Sequence, residues 1–131
     1  MKRLTVILFA ALAMFSCAPK QQYANRAEKI LAEIKFIQDT LKDTSSELFL
    51  EDERTIRAVC MTLINIGELV KNLTPELKDA HKEIPWRAIS GMRDITAHKY
   101  QTLRKEDVYS TCVDDIPDFE KQLLRLVQES E

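Results

Sequence analysis

At 131 residues the chain can bury one core but not two. Only 2 Gly and 4 Pro stand against 31% charged and 45% hydrophobic residues, which excludes an all-β chain rich in turns and predicts helices joined by short links. A net charge of -2 provides no global field to recruit nucleic acid, so such a partner must be held by a local patch.

The chain begins MKRLTVILFAALAMFSCAPK: two cations, an apolar run from Leu4 to Phe15, a small residue and Cys17. That is the layout of a secretory signal, with Cys17 where a bacterial lipoprotein signal places its lipidated cysteine. The apolar run is short for a membrane span. The alternative is an upstream extension of an ordinary soluble protein. Residues 1–20 are read as this signal-like or extension segment, and 21–131 as one helical domain.

From about Tyr23 to Leu41, Ala27, Ile30, Leu31, Ile34, Ile37 and Leu41 recur at helical spacing. The stretch DTSSE then breaks the pattern and supplies capping residues. A second helix is expected from about Glu51 to Asn72, with Ile56, Val59, Cys60, Leu63, Ile66 and Val70 inward and Gly67 open to close approach by a neighbour. LTPEL restarts a short helix with Thr74 as N-cap and Pro75 at the first helical position. His81 falls in a polar connection and reads as surface. Pro85 opens the helix PWRAISGMRDITAHKY, in which Trp86, Ile89, Met92 and Ile95 point inward. The last helix carries Val108, Cys112, Val113, Ile116, Phe119, Leu123 and Leu126, with Pro117 inside it to kink or split it. Cys60 and Cys112 lie on apolar faces and read as core residues, and no CxxC pair suggests zinc or redox chemistry. Four main helices and one short extra helix make an all-α antiparallel four-helix bundle.

GMRDITAHKY carries the chemistry. Arg93 is a permanent cation whose fork grips phosphate oxygens. His98 can take or give a proton near neutral pH. Tyr100 offers a hydroxyl and a flat ring. Together they suffice for RNA cleavage without a metal: a ribose 2′-hydroxyl attacks the neighbouring phosphate, His98 moves a proton, and Arg93 stabilises the developing charge. The plain alternative is three polar residues at the wet end of a helix, with His98 favouring its dipole. On a straight helix Arg93 and Tyr100 share a face, whereas His98 is rotated by about 140° from Arg93. Either the helix loosens near His98, or a second copy completes the site across a two-fold axis.

Several segments together resemble the HepT-like toxins of the HEPN superfamily: FLEDERTIRAVCMTLINIGELVKNL, IPWRAISGMRD and VDDIPDFEKQL, with Arg93, Asp94, His98 and Tyr100 in the motif positions. The resemblance covers about residues 24–129. It implies a homodimeric, metal-independent endoribonuclease, the toxin half of a type VII toxin–antitoxin pair, with no cofactor and no DNA partner. It also implies that a minimal nucleotidyltransferase transfers AMP from ATP onto Tyr100, putting charge where RNA phosphate must enter. Asp94 would orient Arg93 or His98, and Asn65 or Glu68, on a helix that borders the cleft in this family, would support the motif by hydrogen bonding. Such a protein is expected in the cytoplasm. A functional leader would instead make it a lipoprotein anchored through Cys17, and a non-catalytic helical binding module is the remaining alternative. Lys99 and Gln101 to Leu103 flank the tyrosine without the Gly- and Phe-rich continuation common in the family.

Overall fold

The computed structural model describes residues 2–95 and 97–130, with side chains described for 22–95 and 97–129. The side chain of Cys17, the candidate lipidation site, lies outside those described. The fold is all-α. In order it comprises α1 (Lys2–Leu41), α2 (Ser46–Glu51), α3 (Glu53–Lys71), α4 (Pro75–Ala80), α5 (Trp86–Gly91), a 3-10 turn (Met92–Asp94), α6 (Ala97–Thr102), α7 (Lys105–Ser110), a π turn (Thr111–Asp115) and α8 (Ile116–Ser130). Among the described residues no helix is long and apolar enough to cross a membrane.

The core follows the sequence stripes. Ala27, Ile30, Ile34 and Ile37 of α1 meet Ile56, Val59, Leu63, Ile66 and Val70 of α3, all nearly or wholly removed from water. Burying each Ile, Leu or Val side chain among them contributes about 1.5–3 kcal/mol. Arg26 donates to the Asn72 carbonyl, and Asn65 Nδ2 donates to Glu33 Oε2 at 3.5 Å, so α1 and α3 run antiparallel. Gln38 donates to Glu120 at 2.7 Å and ties α1 to α8. Cys60 and Cys112 are buried and free.

Capping decides the boundaries. After α1 the chain reverses through Asp43 at φ 59, a left-handed conformation that Asp tolerates. Ser45 caps α2 by accepting from the Leu48 amide at 3.3 Å. Asp52 caps α3, accepting from the Arg54 and Thr55 amides at 3.1 Å each. The second helix therefore begins at Glu53, and a separate short helix precedes it, pinned by the fully buried Phe49. Thr74 Oγ1 accepts from Leu77 N at 3.3 Å and Pro75 opens α4, as the sequence suggests.

Trp86 is a core anchor. Its indole N–H donates to the His81 carbonyl at 2.8 Å and its ring stands edge-on to Phe119, centroids 6.4 Å apart. His81 itself is half-buried, where a surface position was expected. Pro117 neither donates to the helix nor breaks it: a π turn over Thr111–Asp115 precedes it and absorbs the missing bond. The wider turn leaves Val113 exposed at 41%, off the stripe assigned from periodicity, while Cys112 and Ile116 stay inside.

Candidate active site

The long helix expected after Pro85 is broken inside the motif. The α-helix ends at Gly91, Met92–Asp94 form a 3-10 turn, and Ile95 is extended at ψ 95 before α6 begins at Ala97. Gly67 of α3 makes room for this path: a Cβ there would stand 2.5 Å from the Arg93 amide nitrogen and 3.1 Å from the Ser90 carbonyl oxygen. The half-buried Met92 and Ile95 then hold the turn against the core. Of the two ways to reconcile Arg93 with His98, loosening of the helix is present within the chain.

That break sends the side chains apart. Arg93 Nη1 donates to Glu68 Oε2 at 2.9 Å, and Nε stands 3.8 Å from Asp94 Oδ1. The Arg93 hydrogen bond is the main reason the Glu68 carboxyl lies below its ordinary range, with Asn72 helping from 3.3 Å. Asp94 is exposed beside Arg93. Asn65 points to Glu33 of α1, so of the two polar α3 residues only Glu68 touches the motif.

Tyr100 is tied to the other end of α3. Its hydroxyl donates to Glu53 Oε1 at 2.6 Å, and Lys105 Nζ donates to Glu53 Oε2 at 2.6 Å. Arg57 adds a hydrogen bond to Glu53 Oε1 at 3.2 Å and lies 5.2 Å from the centroid of the Tyr100 ring. The bonds from Lys105 and then Tyr100 hold the Glu53 carboxyl down at about 2. Burial, seconded by the Glu53 bond, pushes the Tyr100 phenol up to about 12. Glu53, Arg57 and Lys105 carry no sequence signal that connects them to the motif, because Glu53 and Tyr100 stand 47 positions apart.

His98 sits two residues before Tyr100 on α6, a rotation of about 200°, so the ring that turns Tyr100 toward α3 turns the imidazole to solvent. It is exposed, with no hydrogen bond or ion pair among the described residues. Glu53 and Glu68, the anchors of Tyr100 and Arg93, are fifteen positions apart on α3, a rise of about 22 Å. A single chain thus joins Arg93 with Glu68 and Asp94, and Tyr100 with Glu53, but does not close Arg93, His98 and Tyr100 around one point. Between the anchors lies a shallow hollow of about 170 Å³ lined by Arg57, Cys60, Met61, Ile64, Ile95, Ala97 and Tyr100. A larger groove of about 550 Å³, beside Ile89, Met92, Ile116 and Phe119, includes none of the three motif residues. Among the described residues no group of three His, Cys, Asp or Glu side chains could hold a metal ion.

A bundle that displays an Arg, His and Tyr on a broken segment braced by its central helix defines the class, an all-α HEPN-type domain. Residues 30–126 match the family described as Ribonuclease HepT-like, and the chain belongs to that family of RNA-cleaving enzymes. It is 38% identical over 101 residues, 77% of this chain and 90% of the other, to a protein of Caldanaerobacter subterraneus subsp. tengcongensis provisionally named an RNase. It is 33% identical over 107 residues, 82% of this chain and 97% of the other, to a protein of Thermococcus cleftensis named "Probable ribonuclease HepT". No solved structure gives a significant match.

Proposed function

We propose that the protein is a metal-independent endoribonuclease toxin whose working unit is a homodimer. The observation that carries this reading is the break between Arg93 and His98, which leaves an exposed imidazole and a carboxylate-braced guanidinium on one short segment. The ribose 2′-oxygen attacks the adjacent phosphorus and the P–O5′ bond breaks, leaving a 2′,3′-cyclic phosphate and a 5′-hydroxyl. His98 moves a proton at the attacking or leaving oxygen, and Arg93 stabilises charge on the phosphoryl oxygens. Glu68 and Asp94 position the guanidinium.

The dimer reading is supported by the separation of the motif side chains within one chain and by Met61, 56% exposed on the α3 face that lines the hollow beside Tyr100. A second copy packed there would bring the Arg93 of one chain toward the His98 of the other. For regulation, a minimal nucleotidyltransferase would transfer AMP from ATP to the Tyr100 hydroxyl, releasing pyrophosphate and adding a negative phosphodiester at the RNA-binding face. The cytoplasm, where RNA and ATP are both present, is the compartment this activity requires.

The test is direct. Purified protein should cut RNA in the presence of a chelator and leave cyclic phosphate ends. Arg93→Ala and His98→Ala should each abolish cutting, and cleavage that survives both changes refutes the mechanism. Incubation with ATP and the nucleotidyltransferase should add AMP to the wild type and not to Tyr100→Phe, read by intact mass.

A further inference from the structure

Three donors from three separate elements converge on the two oxygens of one exposed carboxylate. Tyr100 of α6 and Arg57 of α3 reach Glu53 Oε1, and Lys105 of α7 reaches Oε2. Two of them are cations. We propose that Arg57, Lys105 and the Tyr100 hydroxyl form a seat for a phosphodiester of the RNA strand, a seat that the carboxylate of Glu53 fills here as an internal stand-in.

The chemistry of the donors favours this ligand. A phosphodiester, like a carboxylate, presents two anionic oxygens a short distance apart, and a guanidinium, an ammonium and a hydroxyl are the side chains that bind it. Without Glu53 the seat carries two positive charges, a local basic patch on a chain whose net charge is -2. The stand-in can leave cheaply. The Glu53 side chain is 46% exposed, and ion pairs in that setting contribute little to stability. Glu53 is also the first residue of α3, so after swinging out it still lies in the first turn, where a negative charge is favoured.

The seat is also placed to guide a strand. It opens on the rim of the hollow that Arg57 and Tyr100 line, and on α6 it faces about 200° away from His98. It therefore fixes the register of the RNA without touching the phosphate that His98 serves, which makes Arg57 and Lys105 positioning residues. This inference rests on the reading of the protein as a ribonuclease.

The test is equilibrium binding of the full chain to a single-stranded RNA whose riboses are all 2′-O-methylated, so that it cannot be cut, over a series of salt concentrations. Arg57→Ala and Lys105→Ala should each weaken binding and each lower the slope of log affinity against log salt by about 0.7. Glu53→Gln, which removes the competing charge, should tighten binding about two- to fivefold. A glutamate that merely clasps α6 and α7 to α3 predicts the opposite sign for Glu53→Gln, and thermal unfolding reports whether each variant is folded. Both signs together support the seat. Any other pattern in variants that remain folded overturns it, while a wild type that binds no RNA overturns the ribonuclease reading as well.

Discussion

The amide nitrogen of Arg93 lies so close to Gly67 that a Cβ on residue 67 would stand 2.5 Å from it. The obstacle is backbone, held by the buried Ile89 on one side and Ile95 on the other, and cannot rotate away. Gly67→Ala should therefore push the 3-10 turn off α3. The helix-propensity gain of about 1 kcal/mol works in the other direction, but overpacking of this kind costs about 1–3 kcal/mol. The expected result is a lower melting temperature and a loss of RNA cleavage larger than the loss of fold. Gly91 is the internal control. A Cβ there meets nothing within 4 Å, its φ is -67, and Gly91→Ala should raise stability by about 0.4–1 kcal/mol.

Glu68 offers a cleaner separation of stability from activity. Its carboxylate is half exposed and bonds to Arg93 at 2.9 Å. Loss of an exposed pair changes stability little. In the proposed mechanism the Arg93 guanidinium meets the transition-state charge, and misplacing such a group can cost up to about 100-fold in rate. Glu68→Ala should then melt near the wild type while cutting RNA about 10- to 100-fold more slowly, chiefly in kcat. An unchanged rate would mean that Arg93 does not need this brace.

The titration of Glu53 and Tyr100 sets a pH dependence with a definite sign at each end. The Glu53 carboxyl is depressed from 4.5 to about 2, so its contribution to stability is present above 4.5 and disappears as pH falls toward 2. Wild type should lose more thermal stability than Glu53→Gln on acidification through that window. The Tyr100 phenol is raised from 10 to about 12, so its contribution is present below 10 and disappears as pH rises through 12. In Glu53→Gln the phenol should ionise at lower pH, though only part of the way to 10, because burial is the larger cause. A difference titration against Tyr100→Phe reads this one phenol.

The sequence carries the bundle because its stripes are long. Six apolar positions in α1 and six in α3 leave little freedom about which faces meet, and all of the α3 stripe is buried. The short helix α2 escapes such reading, since only Phe49 of its six residues is buried and one residue makes no period. The break at Met92–Asp94 is also invisible locally. Nothing in GMRDITAHKY forbids a helix, and the cause is tertiary: Gly67, in another helix, leaves room for the turn. For the same reason Arg93, His98 and Tyr100 could be named from the motif while Glu53 and Lys105 could not. Ion-pair partners 52 positions apart are chosen by packing, which single-sequence periodicity does not report.

The separation of the Arg93 and Tyr100 anchors on α3 leads to the sharpest test of the proposed dimer. Suppose each site takes Arg93 from one copy and His98 from the other. Arg93→Ala and His98→Ala are then both dead as homodimers, but a mixed dimer contains one site with both mutations and one with neither. Random exchange of equal amounts makes half the dimers mixed, so the mixture should recover about a quarter of wild-type activity. If each site instead draws both residues from the same chain, every site in the mixture carries one lesion and no activity returns. The measurement needs only subunit exchange under mild denaturant followed by an RNA cleavage assay, and recovery can come only from a site that spans the two-fold axis.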